Sequence, residues 1–493
     1  MSNSFYYLFD TSNNFKDCSK LYDFLVILDP LLILVPSNRP FMLSSLFKYI
    51  VQFALKIFFR KIVIVQSEAI PNEGPMIVAA NHPSTIMDAS VVGCLLKQKP
   101  KFLTKATVFK KPLNRWLLQN MGAIPVQRAA DSLDGKADTK FLFSKCYERL
   151  AVGDTILIFP EGVSKHGRQL HKIKTGAARI ALGAEGEHAF GLGIKIITVG
   201  LNYSNPRRFR SDLYITIKPA IQLSDWQQAY IEDERLAVQQ LTAKISNQLQ
   251  EQIIVTQDAA EDNLLQQIED IYQNTLIDQI KTDEQLETKQ FKASKSLEEA
   301  LRYYKETDAQ RVAQLRIQLD NYFYNLQRLK LKDDLLESKE LKKSVFTAGI
   351  IKFLELLIGC PFWLYGLLNN YLAYRIPSLL AQFITKDEEY IAPIMMYIGI
   401  LSFPIFYGLQ IYLFSYLEPN FYSLLFYIIS LPISGFFALH YWQGLKDTKD
   451  QWTLFSSFYS KKKLFGKIIT QRAAIVQELE RAQQNYMELL DPR

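Results

Sequence analysis

The chain has 493 residues, of which 48% are hydrophobic and 22% charged, and its formal net charge is +7. This composition excludes a disordered chain, and the length indicates more than one structural unit. The charge is too small to indicate nucleic-acid binding, but it favours contact with an anionic membrane surface or a phosphorylated substrate. The four cysteines show no CxxC spacing, which indicates reduced thiols of an intracellular protein rather than a disulfide framework or a zinc site. They are Cys18, Cys94, Cys146 and Cys360.

Residues 1–60 are predicted to form a leader and one membrane-associated helix. The apolar run 21–35 contains acidic residues and lies too far along the chain for a secretory signal. Within residues 41–59, polar residues recur at every fourth position of an otherwise apolar helix. This narrow stripe suits a helix in the membrane interface, and it suits equally a helix packed on the core of the next domain. The polar residues are Ser44, Lys48, Gln52 and Lys56.

Short β-rich runs alternate with helical stretches through residues 61–223. The alternation predicts an α/β catalytic domain, with one mixed sheet flanked by helices. Helices are expected after Ser84 and over residues 138–150 and 175–183. The predicted strands are residues 62–65, 76–80, 155–159, 194–200 and 213–218.

His82 and Asp88 form the most informative residue pair of this region. Histidine is rare, with five in the chain, and His82 closely follows the apolar run 76–80, which is typical of a buried strand. A strand end that presents a histidine shortly before an aspartate suits proton abstraction. The imidazole takes the proton, and the carboxylate fixes its tautomer and stabilises its charged form.

Three further motifs could contribute to a substrate site. Glu161 and Gly162 follow a predicted strand, and Lys174 lies just before the next helix, an arrangement that can cradle a phosphate or hold a hydroxyl group. Arg128 ends a short extended run and could also bind a phosphate. Each motif alone is compatible with an ordinary turn or surface residue, and the apolar run 198–203 is compatible with simple core packing.

In this order and spacing, the motifs resemble those of the glycerol-3-phosphate and lysophosphatidic-acid acyltransferase superfamily, over about residues 41–220. The segment FPEGVSKHGRQLHKIKTGAARIAL, residues 159–182, is most similar to one branch of that superfamily. This branch includes fungal glycerol-3-phosphate/dihydroxyacetone-phosphate acyltransferases and also carries a helical extension and C-terminal membrane segments.

The resemblance implies roles for individual residues. His82 would deprotonate the acceptor hydroxyl, Asp88 would orient His82, and the alkoxide would attack the thioester of acyl-CoA or acyl-carrier protein. No metal or organic cofactor is expected, because the thioester supplies the activation and the loop histidines His166 and His171 lack a third ligand. The residues expected to bind the glycerol phosphate are Arg128, Glu161, Gly162, Lys105 and Lys174.

One spacing departs from the commonest family pattern, since five residues rather than four separate His82 from Asp88. On a continuous helix one extra residue would rotate the aspartate by about 100° relative to the histidine. We expect Pro83 to lengthen the loop and Ser84 to cap the helix, so that the additional residue is absorbed before the first turn.

The rest of the chain is predicted to be helical. Residues 224–344 form a polar arm without proline or glycine. Residues 345–374 contain charges and a proline, which favours a half-inserted or protein-shielded segment. The stretches 390–417 and 419–445 are uncharged and long enough to form a transmembrane hairpin. The basic helical tail, residues 446–493, is expected to stay cytoplasmic.

The sequence therefore predicts a membrane-bound O-acyltransferase of glycerophospholipid synthesis, with its catalytic domain facing the cytoplasm. The expected partners are membrane lipids, a glycerol-phosphate acceptor and acyl-CoA or acyl-carrier protein, with no nucleic acid. The acceptor would be glycerol 3-phosphate or dihydroxyacetone phosphate, and lysophosphatidic acid is the alternative. A non-catalytic membrane scaffold with a vestigial acyltransferase fold is the rival of another class, although intact His82, Asp88 and Glu161 argue against it.

Overall fold

The structure, a computed structural model, describes residues 40–106, 109, 115, 122–126, 139–165, 167–280, 286–337 and 345–490. Most of the predicted leader, together with Arg128 and His166, lies outside the described residues. The backbone of Lys105 is described, but its side chain is not.

Eight strands in the described part of the chain form one sheet, in the order β1-β7-β6-β2-β5-β3-β4 with β8 paired to β6. The strands β6 and β7 are antiparallel, as are β6 and β8, and the other pairs are parallel. The predicted mixed sheet is therefore confirmed. The strands are β1 Lys61–Val65, β2 Met76–Ala80, β3 Lys101–Lys105, β4 Ala123–Val126, β5 Thr155–Ile158, β6 Lys195–Tyr203, β7 Asp212–Ile217 and β8 Ile221–Gln222.

The strands β3 and β4, which are not among the five predicted strands, form one edge of the sheet, and β4 coincides with the short extended run predicted before Arg128. Strand β3 begins with Lys101 and ends with Lys105, and Pro125 lies within β4. Proline lacks a backbone N–H and is tolerated in a sheet mainly on edge strands, which is where β4 lies. These residues mask the apolar pattern by which the central strands were recognised.

Helices cover both faces of the sheet. The first, α1, turns Lys48 and Gln52 of its polar stripe inwards: the amine of Lys48 donates to the carbonyl of Leu96, and the amide of Gln52 donates to that of Cys94 at 3.1 Å. The helix is therefore packed on the core, although Lys56 of the same stripe is exposed. The apolar residues that remain exposed are Leu46, Phe47, Tyr49, Ile50 and Phe53. The helices that cover the two faces are α1 Pro40–Phe58, α2 Thr85–Leu95, α3 Thr139–Ala151, α4 Gly176–Glu187, α5 Gln227–Glu232 and α6 Glu234–Gln252.

The structure moves the boundary between the catalytic domain and the arm. Leu241, Ile245 and Leu249 of α6 are buried in the same hydrophobic core as β2 and β5. The domain therefore extends to about residue 252 rather than 223. Patterning missed this because polar residues separate the buried side chains of α6, as in any amphipathic helix.

The basic tail is not a separate unit. Its helix packs against the arm, where Ile468 and Ile475 share a hydrophobic core with Tyr322. Arg472 forms an ion pair at 2.8 Å with the buried Asp333, which also accepts a hydrogen bond from Tyr322. The helices of this bundle are α7 Ala259–Gln279, α8 Leu286–Thr307, α9 Ala309–Leu329, α10 Asp334–Glu337 and α14 Lys462–Leu490.

Three long apolar helices lie in the sequence between the arm and α14. They are α11 Val345–Ile384, α12 Glu388–Leu417 and α13 Phe421–Ser460. Two of them, α12 and the part of α13 that spans Phe421–Leu454, are long and apolar enough to cross a membrane. The predicted segment 345–374 continues without interruption to Ile384 in α11.

The helix α11 packs antiparallel to both of its neighbours. In its second half, Asn370 accepts a hydrogen bond from Tyr407 of α12 at 2.6 Å. In its first half, the carbonyl of Leu356 accepts one from Tyr441 of α13. Gly366 of α11 lies directly against the backbone of Ser434, a close approach that a side chain would prevent.

Candidate active site

Three neighbouring parallel strands, β5, β2 and β6, have their carboxyl ends on the same side of the sheet, where they bring predicted site residues together. The central strand β2 runs parallel to both β5 and β6. Its carboxyl end leads to His82, that of β5 leads to Glu161, and β6 ends with Tyr203. Loops at the carboxyl ends of parallel strands are the usual location of binding and catalytic residues in open α/β sheets.

His82 and Asp88 form a hydrogen-bonded pair, with 2.9 Å between Nδ1 and Oδ2. The side chain of Asp88 is fully buried, whereas that of His82 is 18% exposed. The imidazole ring stacks on Phe159, with ring centroids 3.8 Å apart. Since Nδ1 faces the carboxylate, Nε2 is the ring nitrogen that can take a proton from a substrate.

The buried carboxylate of Asp88 accepts three hydrogen bonds. Besides His82, the backbone N–H of Ser84 donates to Oδ2 at 2.7 Å, and the hydroxyl of Tyr203 donates to Oδ1 at 2.7 Å. Burial and the adjacent Asp88 carboxylate raise the pKa of Tyr203 well above its ordinary value, so the phenol stays protonated and remains a donor. A carboxylate held from three directions keeps one orientation towards the imidazole.

Sequence reasoning missed Tyr203. The strand that it ends was interpreted as core, and most of its residues are indeed buried. The available signal was a polar aromatic residue at the carboxyl end of a strand adjacent to β2. That adjacency follows from the strand order, which the sequence pattern does not specify.

The extra residue between His82 and Asp88 is absorbed at Thr85. The helix α2 begins directly after Ser84, as expected, but the Ser84 side chain makes no capping hydrogen bond. Instead Asp88 caps the Ser84 amide, and Thr85 adopts a φ of 43°, in the left-handed region. A β-branched residue is rare in this conformation, which here restores the contact that one extra residue would otherwise break.

Glu161 holds two loops of the site together. Its Oε1 accepts a hydrogen bond from the backbone N–H of His82 at 2.9 Å, and its Oε2 accepts one from that of His171 at 3.0 Å. The residue is 4% exposed. Burial raises the pKa of this carboxyl, and the two N–H groups oppose the rise. Both oxygens of Glu161, one of the residues predicted to bind the acceptor, therefore accept hydrogen bonds from the backbone of the protein.

Glu161→Gln is expected to lower the unfolding temperature, since one of the two backbone N–H donors would face an amide NH₂ group. The raised pKa also fixes the sign of a pH effect. The folded state binds the Glu161 proton more tightly than the unfolded state, so wild-type stability relative to E161Q falls as the pH rises through the raised pKa. Unfolding temperatures of both proteins at pH 4.5 and 7.5 measure this difference, and a constant difference would contradict the assignment.

Gly162 and Lys174, two predicted phosphate-binding residues, lie against each other. Gly162 has a φ of 69°, and a Cβ atom there would lie 3.1 Å from both Cδ and Cε of Lys174. The Lys174 amide donates to the carbonyl of Pro160 at 2.9 Å, which fixes the base of the lysine beside the turn. A glycine is therefore required for the exposed lysine to cross this turn.

The remaining predicted site residues are placed less completely. Lys105 ends β3, which runs parallel to β5, so its backbone lies at the same edge of the sheet as Glu161. Arg128 lies outside the described residues. Among the residues that the structure describes, no group of three or more His, Cys, Asp or Glu side chains could hold a metal ion.

Residues 61–202 match the family model described as Acyltransferase. This range begins at β1, ends one residue before Tyr203, and contains both members of the His82–Asp88 pair. The site described above therefore lies within the part of the chain that matches a known family. Residues 61–202 form an acyltransferase domain. Together with the curated relatives described next, this match confirms the resemblance to the glycerol-3-phosphate and 1-acylglycerol-3-phosphate acyltransferase superfamily.

Curated relatives of the acyltransferase domain come from several kingdoms. The chain is 31% identical over 140 residues to glycerol-3-phosphate O-acyltransferase 1 of Saccharomyces cerevisiae, covering 28% of this chain and 18% of that protein. It is 29% identical over 124 residues to the chloroplastic 1-acyl-sn-glycerol-3-phosphate acyltransferase LPAT1 of Arabidopsis thaliana, covering 25% and 33%. It is 34% identical over 96 residues to lyso-ornithine lipid O-acyltransferase of Pseudomonas aeruginosa, covering 20% and 34%.

The similarity is confined to part of each protein. The chain spans no more than 34% of the length of the Pseudomonas relative and 18% of the yeast relative. Among solved structures, the 1-acyl-sn-glycerophosphate acyltransferase PlsC of Thermotoga maritima matches with a TM-score of 0.30 and 16% identity, covering 47% of this chain and 90% of that one.

Proposed function

We propose that the protein is a membrane-bound O-acyltransferase that transfers a fatty acyl group from a thioester donor to a hydroxyl of a glycerol-phosphate acceptor. The observation that carries the proposal is the 2.9 Å contact between His82 and the buried Asp88 at the carboxyl end of β2. This pair is the base that a hydroxyl acceptor requires. It lies in the part of the chain that matches the Acyltransferase family.

In the proposed reaction, Nε2 of His82 takes the proton of the acceptor hydroxyl as the oxygen attacks the thioester carbonyl. A C–O bond forms and the C–S bond breaks. The imidazolium then returns the proton to the departing thiolate. Asp88 stabilises the positive charge on the ring between these steps, while Ser84 and Tyr203 hold the carboxylate in place. The thioester supplies the activation, so the step requires no metal or organic cofactor.

The acceptor proposed is glycerol 3-phosphate or dihydroxyacetone phosphate, with the yeast glycerol-3-phosphate acyltransferase among the relatives as support. The alternative acceptor is lysophosphatidic acid, which the names of the plant relatives favour. All three molecules present a hydroxyl and a phosphate. Of the predicted phosphate-binding cations, Lys174 is the one whose side chain the structure describes, and it lies beside Gly162, directly after Glu161.

An acyl-transfer assay on purified membranes separates these acceptors. Labelled acyl-CoA or acyl-carrier protein is supplied with glycerol 3-phosphate, dihydroxyacetone phosphate or lysophosphatidic acid, and membranes without the protein serve as the blank. We expect a labelled monoacyl product with one of the first two acceptors. Phosphatidic acid formed from lysophosphatidic acid alone would select the alternative, and no product with any acceptor would favour the scaffold.

We further propose that α12 and α13 cross the bilayer while the acyltransferase domain stays on the cytoplasmic side. The support lies at the two ends of the helix pair. Glu388, at the start of α12, forms an ion pair with Arg207 of the domain, and Asp450, near the end of α13, pairs with Lys332 of the arm at 2.7 Å. The start of α12 and the end of α13 therefore both contact parts of the protein that lie in water on one side of the membrane. This requires the chain to cross the membrane an even number of times between them.

The turn between α12 and α13 is expected on the opposite side of the membrane. In a variant whose four cysteines are serines, Glu418→Cys should react with a membrane-impermeant maleimide in intact cells. Lys461→Cys, at the exposed end of α13, is the matched control and should react only after permeabilisation. Labelling of both variants on the same side would contradict the proposed crossing.

A further inference from the structure

Thr85 connects the candidate active site to the first turn of α12. Its backbone N–H donates to the hydroxyl of Ser164 at 3.0 Å, and its own hydroxyl donates to the carbonyl of Glu389 at 3.1 Å. The residue is 4% exposed and has the left-handed φ of 43°. An unfavourable conformation in a β-branched residue persists only where neighbouring contacts hold it. Here those contacts come from the turn after β5 and from a membrane helix.

The conformation of Thr85 determines whether the His82–Asp88 pair can form. Asp88 reaches back across Thr85 to bind the N–H of Ser84, and the same carboxylate oxygen binds His82. If Thr85 relaxed to an ordinary helical φ, the extra residue in this loop would rotate Asp88 away from the imidazole. The hydrogen bond to Glu389 therefore acts on the base through the backbone, although Thr85 touches neither His82 nor Asp88 in the described hydrogen bonds.

The first turns of α12 are packed as part of the acyltransferase domain. Ala392 and Met396 of α12 are buried in one hydrophobic core with Met87 and Val91 of α2. The hydroxyl of Ser90 on α2 is hydrogen-bonded to that of Tyr397 at 2.7 Å. The carbonyl that Thr85 binds is therefore held rigidly against α2, and it lies 304 positions along the chain, far beyond the family match.

We propose that Thr85 is a positioning residue through which α12 holds His82 and Asp88 in their reactive arrangement. The inference rests on the proposed acyl-transfer function, in which His82 is the base. The acyltransferase domain is then incomplete without the membrane helix, because one of the two contacts that hold Thr85 comes from α12. The geometry of the base thus depends on how α12 is seated against α2.

Thr85→Val removes the hydroxyl and keeps the branched shape, so it isolates the hydrogen bond to Glu389. We expect kcat to fall about tenfold, because a small misplacement of a catalytic group has a large effect on rate. KM should stay within about twofold of the wild-type value, since Thr85 lies off the binding residues. Thr85→Ser retains the donor and should restore most of the rate.

The matched control is Thr307→Val in the arm, where the hydroxyl donates to the carbonyl of Tyr303 at 2.9 Å. It removes the same kind of bond far from the site and should leave kcat unchanged. Tyr397→Phe is a second variant, which loses the bond to Ser90 and should lower kcat in the same direction by a smaller factor. It keeps the inference testable if Thr85→Val does not fold.

The outcomes separate this inference from the proposed function. A wild-type protein with no acyl transfer would overturn the function itself. An active wild type with Thr85→Val and Tyr397→Phe both equal to Thr307→Val would overturn the positioning role alone. A loss of rate that Thr85→Ser fails to restore would also count against it, because the bulk of the side chain rather than its hydrogen bond would then be responsible.

Discussion

His82→Ala should lower kcat for acyl transfer about 10³-fold, the scale on which a positioned general base accelerates a reaction. The variant loses the imidazole that takes the hydroxyl proton in the proposed reaction. The protein should still fold, since the imidazole is partly exposed and its loop is held by the bond between its backbone N–H and Glu161. The measurement is kcat in purified membranes with a saturating acyl donor, beside the unfolding temperature.

The matched control is His188→Ala in the same domain. His188 caps the end of α4, and its Nδ1 is 2.9 Å from the carbonyl of Ala184. This variant removes an exposed imidazole of the same domain without touching the candidate base, and kcat should stay within about twofold of wild type. Full activity in H82A, or equal losses in both variants, would exclude His82 as the base.

Asp88→Asn should lower kcat by about 10²-fold or more, since the uncharged amide no longer stabilises the imidazolium formed during the reaction. The side chain keeps its shape. The amide oxygen can still accept from His82 and Ser84, and the hydroxyl of Tyr203 can turn to accept from the new NH₂ group. The loss therefore reports the missing charge more than a change in structure.

Asp154→Asn is the control for this second variant. Asp154 lies before β5, at the opposite edge of the sheet, and its partly exposed carboxylate pairs with Arg149 at 3.4 Å and with Lys101 at 3.9 Å. Exposed ion pairs contribute little, about 0–1 kcal/mol, so its activity and unfolding temperature should hardly change. An Asp88→Asn variant as active as Asp154→Asn would show that His82 works without its carboxylate partner, which would remove the reason for the buried pair.

The sequence alone already indicated His82 and Asp88, because the pattern that marks them involves only neighbouring residues. The run 76–80 is apolar at every position, as a strand buried on both faces of a parallel sheet must be. A polar residue directly after such a run has to lie at the sheet edge. The same argument located Glu161 and Gly162 after β5. Where the local pattern was broken, as at Pro125 in β4, the sequence indicated only a short extended run and did not identify a strand of the sheet.

The hydrogen-bond partners of Glu161 could not be predicted from its position in the sequence. Its position at a strand end was correct, but its partners are backbone amides of residues 82 and 171. Whether a carboxylate points to a substrate or to the backbone depends on the path of the neighbouring loops. The packing of the tail could not be predicted for a related reason, since its buried residues Ile468 and Ile475 contact helices more than a hundred residues earlier.

Local residue patterns were enough to predict the alternation of strands and helices, the family of the acyltransferase domain, the His82–Asp88 pair and the apolar helices near the C-terminus. These features follow from periodicity and short-range spacing, which are properties of adjacent residues. Two contacts became visible only in the folded chain: Tyr203 binds Asp88 from 115 positions away, and α12 holds Thr85 from 304 positions away. Contacts at such separations depend on strand order and on how helices pack against the sheet, and no local pattern of residues encodes either.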